Sequence, residues 1–424
     1  MRKRHFLFAS ALALLCSSGA LHAQDFKLTS SGYFKNQGVD VMAFDDIYPE
    51  GHQGGVCIIM NGHRVATNGD IRLEATPGQW QPVPKQLDRK LGDNSITATL
   101  CYPDSSRHLT GFNPMIYPDL HLIYTVQVES KGKHIEVTVD LDRPIPQEFI
   151  GKVGFNLEFF PGSLFGKPWI MDGQSGIFPQ QPNSPLMTTQ PNYLHTGNYH
   201  DGKQSLADMD KLIGKGYSPI VADDIISEPY AKGRKFTSRP DDPYNKVTIE
   251  SLSGDLQLFD GRMNHNNGWF VLRSNIKPGV TKGVVKWIIT PNVVADWMYQ
   301  PVIQTSQIGY HPAQDKEAVI EMDIRDNRKE TAQIIRIDAD GEKVVKNVTP
   351  ANWGKFLRYN YLKVDFTDVK EPGLYKIKYD TSVSPIFRID NDVYARGVWQ
   401  PVLEYFLPVQ MCHMRVNENI PDGS

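Results

Sequence analysis

Cysteine is scarce in this sequence: four in 424 residues, one of them, Cys16, directly after an N-terminal apolar run. A chain that loses that run keeps Cys57, Cys101 and Cys412, an odd number in a compartment that permits disulfides. At most one internal bridge is then open to it. No Cys-x-x-Cys pair or close Cys/His cluster is present, so a structural zinc site has no ligand set to draw on. A strong net charge is missing too. The formal charge is −3, with 22% charged and 40% hydrophobic residues, values that give no electrostatic reason to expect a nucleic-acid or acidic-membrane partner. Gly-rich phosphate loops, a G-x-S-x-G elbow and an H-E-x-x-H pair are absent. Phosphoryl transfer, serine hydrolysis and zinc proteolysis lose their usual sequence support, and no cofactor is expected.

What is there begins with "MRKRHFLFASALALLCSSGALHAQ". Arg2, Lys3 and Arg4 precede an apolar run from Phe6 to Leu15, and small residues lead to Ala23, the three-part layout of a secretory signal. That run is too short to span a bilayer, and no later run approaches transmembrane length. Residues 1–23 are read as a cleaved signal peptide of a secreted or periplasmic protein. A lipid anchor on Cys16 is the weaker reading, because Leu15 stands where a lipobox carries a small residue.

From Asp25 onward the dominant period is two. "HLIYTVQVESKGKHIEVTVDLD" places Leu122, Tyr124, Val126 and Val128 on one face, turns at Lys131-Gly132, and returns with Ile135, Val137, Val139 and Leu141 on one face. This is an antiparallel hairpin with one side buried. Similar runs recur at Lys246–Phe259 and Gly283–Thr290. The stretch Phe159–Pro185 has neither period, and the one helical candidate in this region is Gly202–Gly216. A length of 424 residues is long for a single domain. The expected fold is all-β. A large N-terminal β-sandwich spans 24–300, a supersandwich among the forms open to it, and a smaller immunoglobulin-like sandwich follows at 301–390. Residues 391–424 then change character: "VWQPVLEYFLPVQMCHMRV" is apolar on nearly every side of a helix, which must be surrounded by protein or membrane. Pro401 suits the first turn, while Pro408 is expected to kink or restart the helix.

The order "SQIGYHPAQDKEAVIEMD", "DFTDVKEPGLYKIKY", "SPIFRIDNDVY" and the aromatic helix resembles the junction in family-9 glycoside hydrolases of the cellulase type, over about Pro301 to Val416. The "PVQMCHMRV" wording is similar to a Bacteroidetes-type subgroup with a long N-terminal extension. The resemblance implies an Ig-like domain followed by the first helix of an (α/α)6 barrel that is truncated here. It also implies a parent enzyme that hydrolyses β-1,4-glucans such as cellulose, mixed-linkage glucan or xyloglucan by inversion. That mechanism uses a carboxylate base and a carboxylic acid roughly 6.5–9.5 Å apart. In the family these lie in barrel regions not found in this sequence, so no catalytic residue is carried over, and the polysaccharide partner is expected to meet the missing barrel. A glycan-binding sandwich module without hydrolytic role is the alternative.

Other chemistry candidates have plainer readings. Asp45-Asp46, Asp223-Asp224 and Asp241-Asp242 sit in turn-like contexts. His195, His200 and Asp201 match no metal spacing and read as a hydrogen-bonded loop. "GRMNHNNGWF" is the best sugar-contact candidate: His265, Asn266 and Asn267 offer groups for hydroxyls and Trp269 an aromatic face for sugar C–H groups. An Asn-Gly turn with Trp269 in the core is the competing reading. Trp169 has the same ambiguity. Cys57 and Cys101, both in strand-like runs, are expected to be paired or both buried.

Overall fold

The computed structural model describes residues 25–45, 55–74, 77, 84–102, 122–182, 186–188, 225–263, 268–395 and 397–413. The signal-like segment, His195, His200, Asp201, the Gly202–Gly216 candidate, His265, Asn266 and Cys412's side chain lie outside what is described. The chain divides into two compact units, Met1–Trp297 and Met298–Ser424.

Among the described residues, the first unit holds two nine-stranded antiparallel sheets and a separate two-stranded pairing of Leu186–Thr188 with Ile225–Ser227. One runs through Lys27–Leu28, Phe34–Asn36, Val39–Ala43, Val56–Met60, His63–Leu73, Val153–Phe159, Phe270–Asn275, Leu256–Asp260 and Ala231–Gly233. The other runs through Gln174–Ile177, Pro168–Met171, Lys235–Ser238, Val247–Ser251, Val285–Pro291, His134–Leu141, Leu122–Lys131, Ser95–Tyr102 and Lys85–Leu91. This is the large sandwich expected from the alternation. The hairpin pairs Tyr124 with Leu141 and Lys131 with His134, and Leu122, Tyr124, Val126 and Val128 are all buried. Each such apolar side chain contributes about 1.5–3 kcal/mol by leaving water.

One hydrophobic cluster joins the inward residues of both sheets. At its centre Trp287 meets Phe155 edge to face at 5.0 Å, and its indole N–H donates to Ser274 Oγ at 3.1 Å. That bond satisfies the one polar atom of a ring otherwise suited to the core. The Phe159–Pro185 stretch, expected to be irregular, contains the hairpin Pro168–Met171 and Gln174–Ile177. Period-two reading misses it because each strand has four residues and Gly176 replaces a side chain. That glycine is required: a Cβ there would come within 2.4 Å of the Trp169 ring. Trp169 is buried beside Tyr230, the packing alternative. Cys57 is buried on Val56–Met60, whereas Cys101 is half-buried on Ser95–Tyr102 in the other sheet.

The second unit is a smaller sandwich. Val302–Gln304, Glu317–Asp323, Tyr359–Asp365 and Ala351–Phe356 make one sheet; Gly341–Val348, Ala332–Asp338, Gly373–Tyr379, Ser382–Val383 and Phe387–Ile389 make the other. Ile320, Met322, Ile334, Leu362, Val364 and Ile377 belong to its core, each two residues from a strand partner on the same face. Tyr310 plugs one end. Its ring lies edge-on to Phe366 and Phe387, and its hydroxyl donates to the Glu317 carbonyl while accepting from Ser306 N–H. Gly309, at φ +103°, lets the backbone pass so close to Arg388 that a Cβ would lie 2.3 Å from its carbonyl oxygen. On the edge strand the register shifts between Asn352 and Gly354, so Trp353 is a bulge residue, with Gly354 at φ +122°.

The helix spans Gln400–His413 and continues through Pro408 without a break, which corrects the expected restart. The missing amide costs one intrahelical bond, and the flanking turns keep the helix continuous. Trp399, Val402, Leu403, Tyr405 and Phe406 are exposed. Among the described residues, no helix is long and apolar enough to cross a membrane.

Candidate functional site

Three neighbouring strands of the first unit carry charge where a sheet would ordinarily carry apolar or solvated residues. They are "DIRL" within His63–Leu73, "FNLEF" within Val153–Phe159 and "LRS" within Phe270–Asn275. Asp70 stands opposite Asn156, and Asn156 opposite Arg273. Directly opposed residues share a face of an antiparallel pair, so the sheet gathers these groups by register. Asp70, Arg72, Glu74, Asn156, Glu158 and Arg273 are all buried.

Arg273 organises the cluster. Its Nη1 donates to Glu74 Oε1 at 3.2 Å and Asn156 Oδ1 at 3.3 Å, its Nη2 to the carbonyls of Glu74 and Lys152, and its Nε to Asn275 Oδ1. Asn156 Nδ2 donates to the same Glu74 oxygen at 2.6 Å, and Asn68 Nδ2 to Glu158 Oε2 at 2.6 Å. Tyr124 hydroxyl and Ile71 N–H both donate to Asp70 Oδ1. Asp70 Oδ2 has no hydrogen-bond partner among the described residues, with Arg72 Nη1 3.7 Å away.

Burial dominates the electrostatics. It pushes the Glu74 carboxyl up to about 7, with the neighbouring Glu158 adding to the rise and Arg273 and Arg72 opposing it. Burial likewise lifts Asp70 to about 6 against the pull of Arg72, and raises the Tyr124 and Tyr102 hydroxyls. Burial thus favours the neutral form of both carboxyls, opposed by the two guanidinium groups beside them. Such perturbation is common at functional sites and also arises in structural ion-pair networks. The five acceptors around Arg273 make its own role that of a structural anchor. Among the described residues, no group of His, Cys, Asp and Glu has the make-up of a metal site.

The sugar-contact loop has a rigid stem. Arg262 chelates Asp260 through Nε and Nη2, both at 2.8 Å, and donates to the Gln180 and Pro179 carbonyls. Its guanidinium also lies over the Phe270 ring at 4.5 Å. Gly261 N–H donates to the Trp269 carbonyl, closing the loop. Trp269 is half-buried, edge to face with Phe160 at 4.4 Å; His265 and Asn266 lie outside the described residues. Asp242 is the turn former expected of it, accepting from Tyr244 N–H and Asn245 Nδ2.

Sequence reading passes over the charged cluster. Alternation in "GDIRLE" looks like a half-exposed strand, and nothing local reveals that the polar side is covered. Three charged or amide positions on strands brought together by register are the one signal available.

Comparison with known proteins bears on the second unit. The family model described as the cellulase N-terminal Ig-like domain matches residues 298–384. These residues are therefore similar to the Ig-like domain of a cellulase-type N-terminal region, in keeping with the sandwich described above. No curated protein matches the chain. A solved structure, that of the Slr1438 protein from Synechocystis sp. PCC 6803, is similar at 9% identity, covering 69% of this chain and 100% of that one with a TM-score of 0.28.

Proposed function

We propose that this chain is the non-catalytic front of a secreted family-9 glycoside hydrolase, whose barrel hydrolyses β-1,4-linked glucan by an inverting acid/base mechanism. The carrying observation is the cellulase-type Ig-like match at 298–384, with the strand Phe387–Ile389 and then the helix Gln400–His413 after it. Exposed Val402, Leu403, Tyr405 and Phe406 give that helix an apolar surface suited to neighbouring helices. In this reading the buried carboxyls around Arg273 serve the fold of the first unit, and hydrolysis belongs to the barrel.

The test is reducing-sugar release from carboxymethylcellulose, mixed-linkage β-glucan and xyloglucan, by the purified chain and by a version extended in frame at its C-terminus. Activity in the extended form alone supports the proposal. Activity in the chain as it stands overturns it and turns attention to the charged cluster.

A second reading, a glycan-binding module, draws on Trp269 at the pinned stem. Retention of the chain on insoluble glucan, lost in Trp269→Ala, supports it; no retention removes it.

A further inference from the structure

The second unit carries a concavity that neither reading uses. Between the edge strand Ala351–Phe356 and the turn at Asn327–Lys329 lies a cleft of ≈ 470 Å³ with Leu362 in its wall, inside the usual range of roughly 300–1,000 Å³ for small-ligand sites. Its polar lining is one-sided. Asn327, Asn352 and Asn360 contribute amides, Arg328, Lys329 and Lys355 contribute cations, and no carboxylate among the described residues lines it.

The cations are not equivalent. Arg328 is committed to the protein: Nη1 donates to Asp380 Oδ2 at 2.7 Å, while Nε and Nη2 donate to Asp326. Asn360 is likewise oriented by donating to the Asp326 carbonyl at 2.8 Å. Lys329 and Lys355, both exposed, have no ion pair among the described residues. They are compact, hydrated charges that suit an anion kept partly in water. Amides each offer donors and an acceptor, which suits a ligand with many hydroxyls. Among the described residues, no aromatic ring lines the cleft for a base to stack on.

We propose that this cleft binds an acidic oligosaccharide, its carboxylate or sulfate group held by Lys329 and Lys355 and its hydroxyls met by the asparagine amides. The site is independent of the glucanase reading, whose substrates are neutral, so each can fail alone.

Isothermal titration of the full chain with trigalacturonate, a sulfated chondroitin hexasaccharide, cellohexaose and sodium sulfate tests it. The expected result is binding of an acidic sugar that weakens as salt is raised and falls at least tenfold in Lys329→Ala/Lys355→Ala. The unsulfated chondroitin hexasaccharide, which keeps its glucuronate carboxylates, titrated beside the sulfated one distinguishes carboxylate from sulfate ester. Both substitutions are at exposed positions and leave the fold intact. Asn352→Ala should weaken the oligosaccharide without changing the response to sodium sulfate. No binding of either acidic sugar, equal binding by the double variant, or sodium sulfate binding as tightly as the sugar overturns the proposal.

Discussion

Arg273 and Glu74, 199 residues apart in sequence, meet at 3.2 Å with both side chains almost wholly sealed from water. Coulomb attraction in such a place is offset by the cost of stripping water from both ions. Losing one partner is therefore worse than never having had the pair. Arg273→Ala is expected to cost about 3–5 kcal/mol in urea unfolding, since it also abandons the carbonyls of Glu74 and Lys152. A loss under about 1 kcal/mol would show that water enters the cluster.

Stability of the first unit should fall as pH rises toward neutrality. Glu74 and Asp70 hold their protons more tightly in the fold, to about 7 and about 6 from ordinary values of 4.5 and 3.8. Between those limits the folded state binds more protons than the unfolded one, so their contribution is full at the acid end and lost as pH climbs through 6 and 7. Urea melts at pH 5, 6, 7 and 8 should show this slope, and Glu74→Gln should flatten it. A parallel slope in the variant excludes Glu74 as its source.

Asp323 in the second unit works the opposite way. Burial raises its carboxyl, but the Arg325 side chain, the Arg325 amide and the Tyr299 amide outweigh that and hold it at about 2. Its contribution is present above the ordinary 3.8 and is lost as pH falls toward 2. Protection against hydrogen exchange, taken relative to the intrinsic rate at each pH, should fall for peptides from Glu317–Asp323 over that acid range, and Asp323→Asn should remove the change.

Two tryptophans separate core from surface. Trp287→Ala empties the meeting point of the two large sheets and should cost about 3–5 kcal/mol. Trp353→Ala, at a 58% exposed ring, should stay within about 0.5 kcal/mol. Chemical denaturation of both variants decides the ranking.

Gly309→Ala should lower the melting temperature of the second unit by more than Gly151→Ala lowers that of the first. Both glycines have positive φ, but a Cβ at 309 meets the Arg388 carbonyl oxygen at 2.3 Å, whereas at 151 it meets nothing within 4 Å. Equal decreases, each measured for its own unit against the unsubstituted chain, would mean that the Arg388 strand gives way freely.

Regular strands were readable because their buried residues repeat every second position: Leu122 to Val128 and Ile135 to Leu141 announce their own pairing. The helix was readable from its density of apolar residues, though its continuity through Pro408 was not, because a proline's local penalty says nothing of the turns on either side. Gly176 illustrates a harder limit. It looks like a strand breaker and is instead the space into which Trp169 fits. The charged cluster lay deepest, since Asp70, Asn156 and Arg273 are ordinary surface residues until register sets them side by side. For the sugar-contact loop, sequence named the residue types, and the pinned stem from Arg262 to Trp269 came from contacts with Gln180 and Phe160 far along the chain.

Because Trp353 is squeezed out of the ladder between Asn352 and Gly354, the edge strand cannot offer a second molecule a flat row of amides and carbonyls. Lys355 beside the bulge adds like-charge repulsion between copies. The irregularity is thus a guard against self-templated growth of the sheet. Deleting Trp353 would restore the regular ladder and give concentrated protein a surface for fibre formation, visible as thioflavin-positive assemblies that the intact chain does not form.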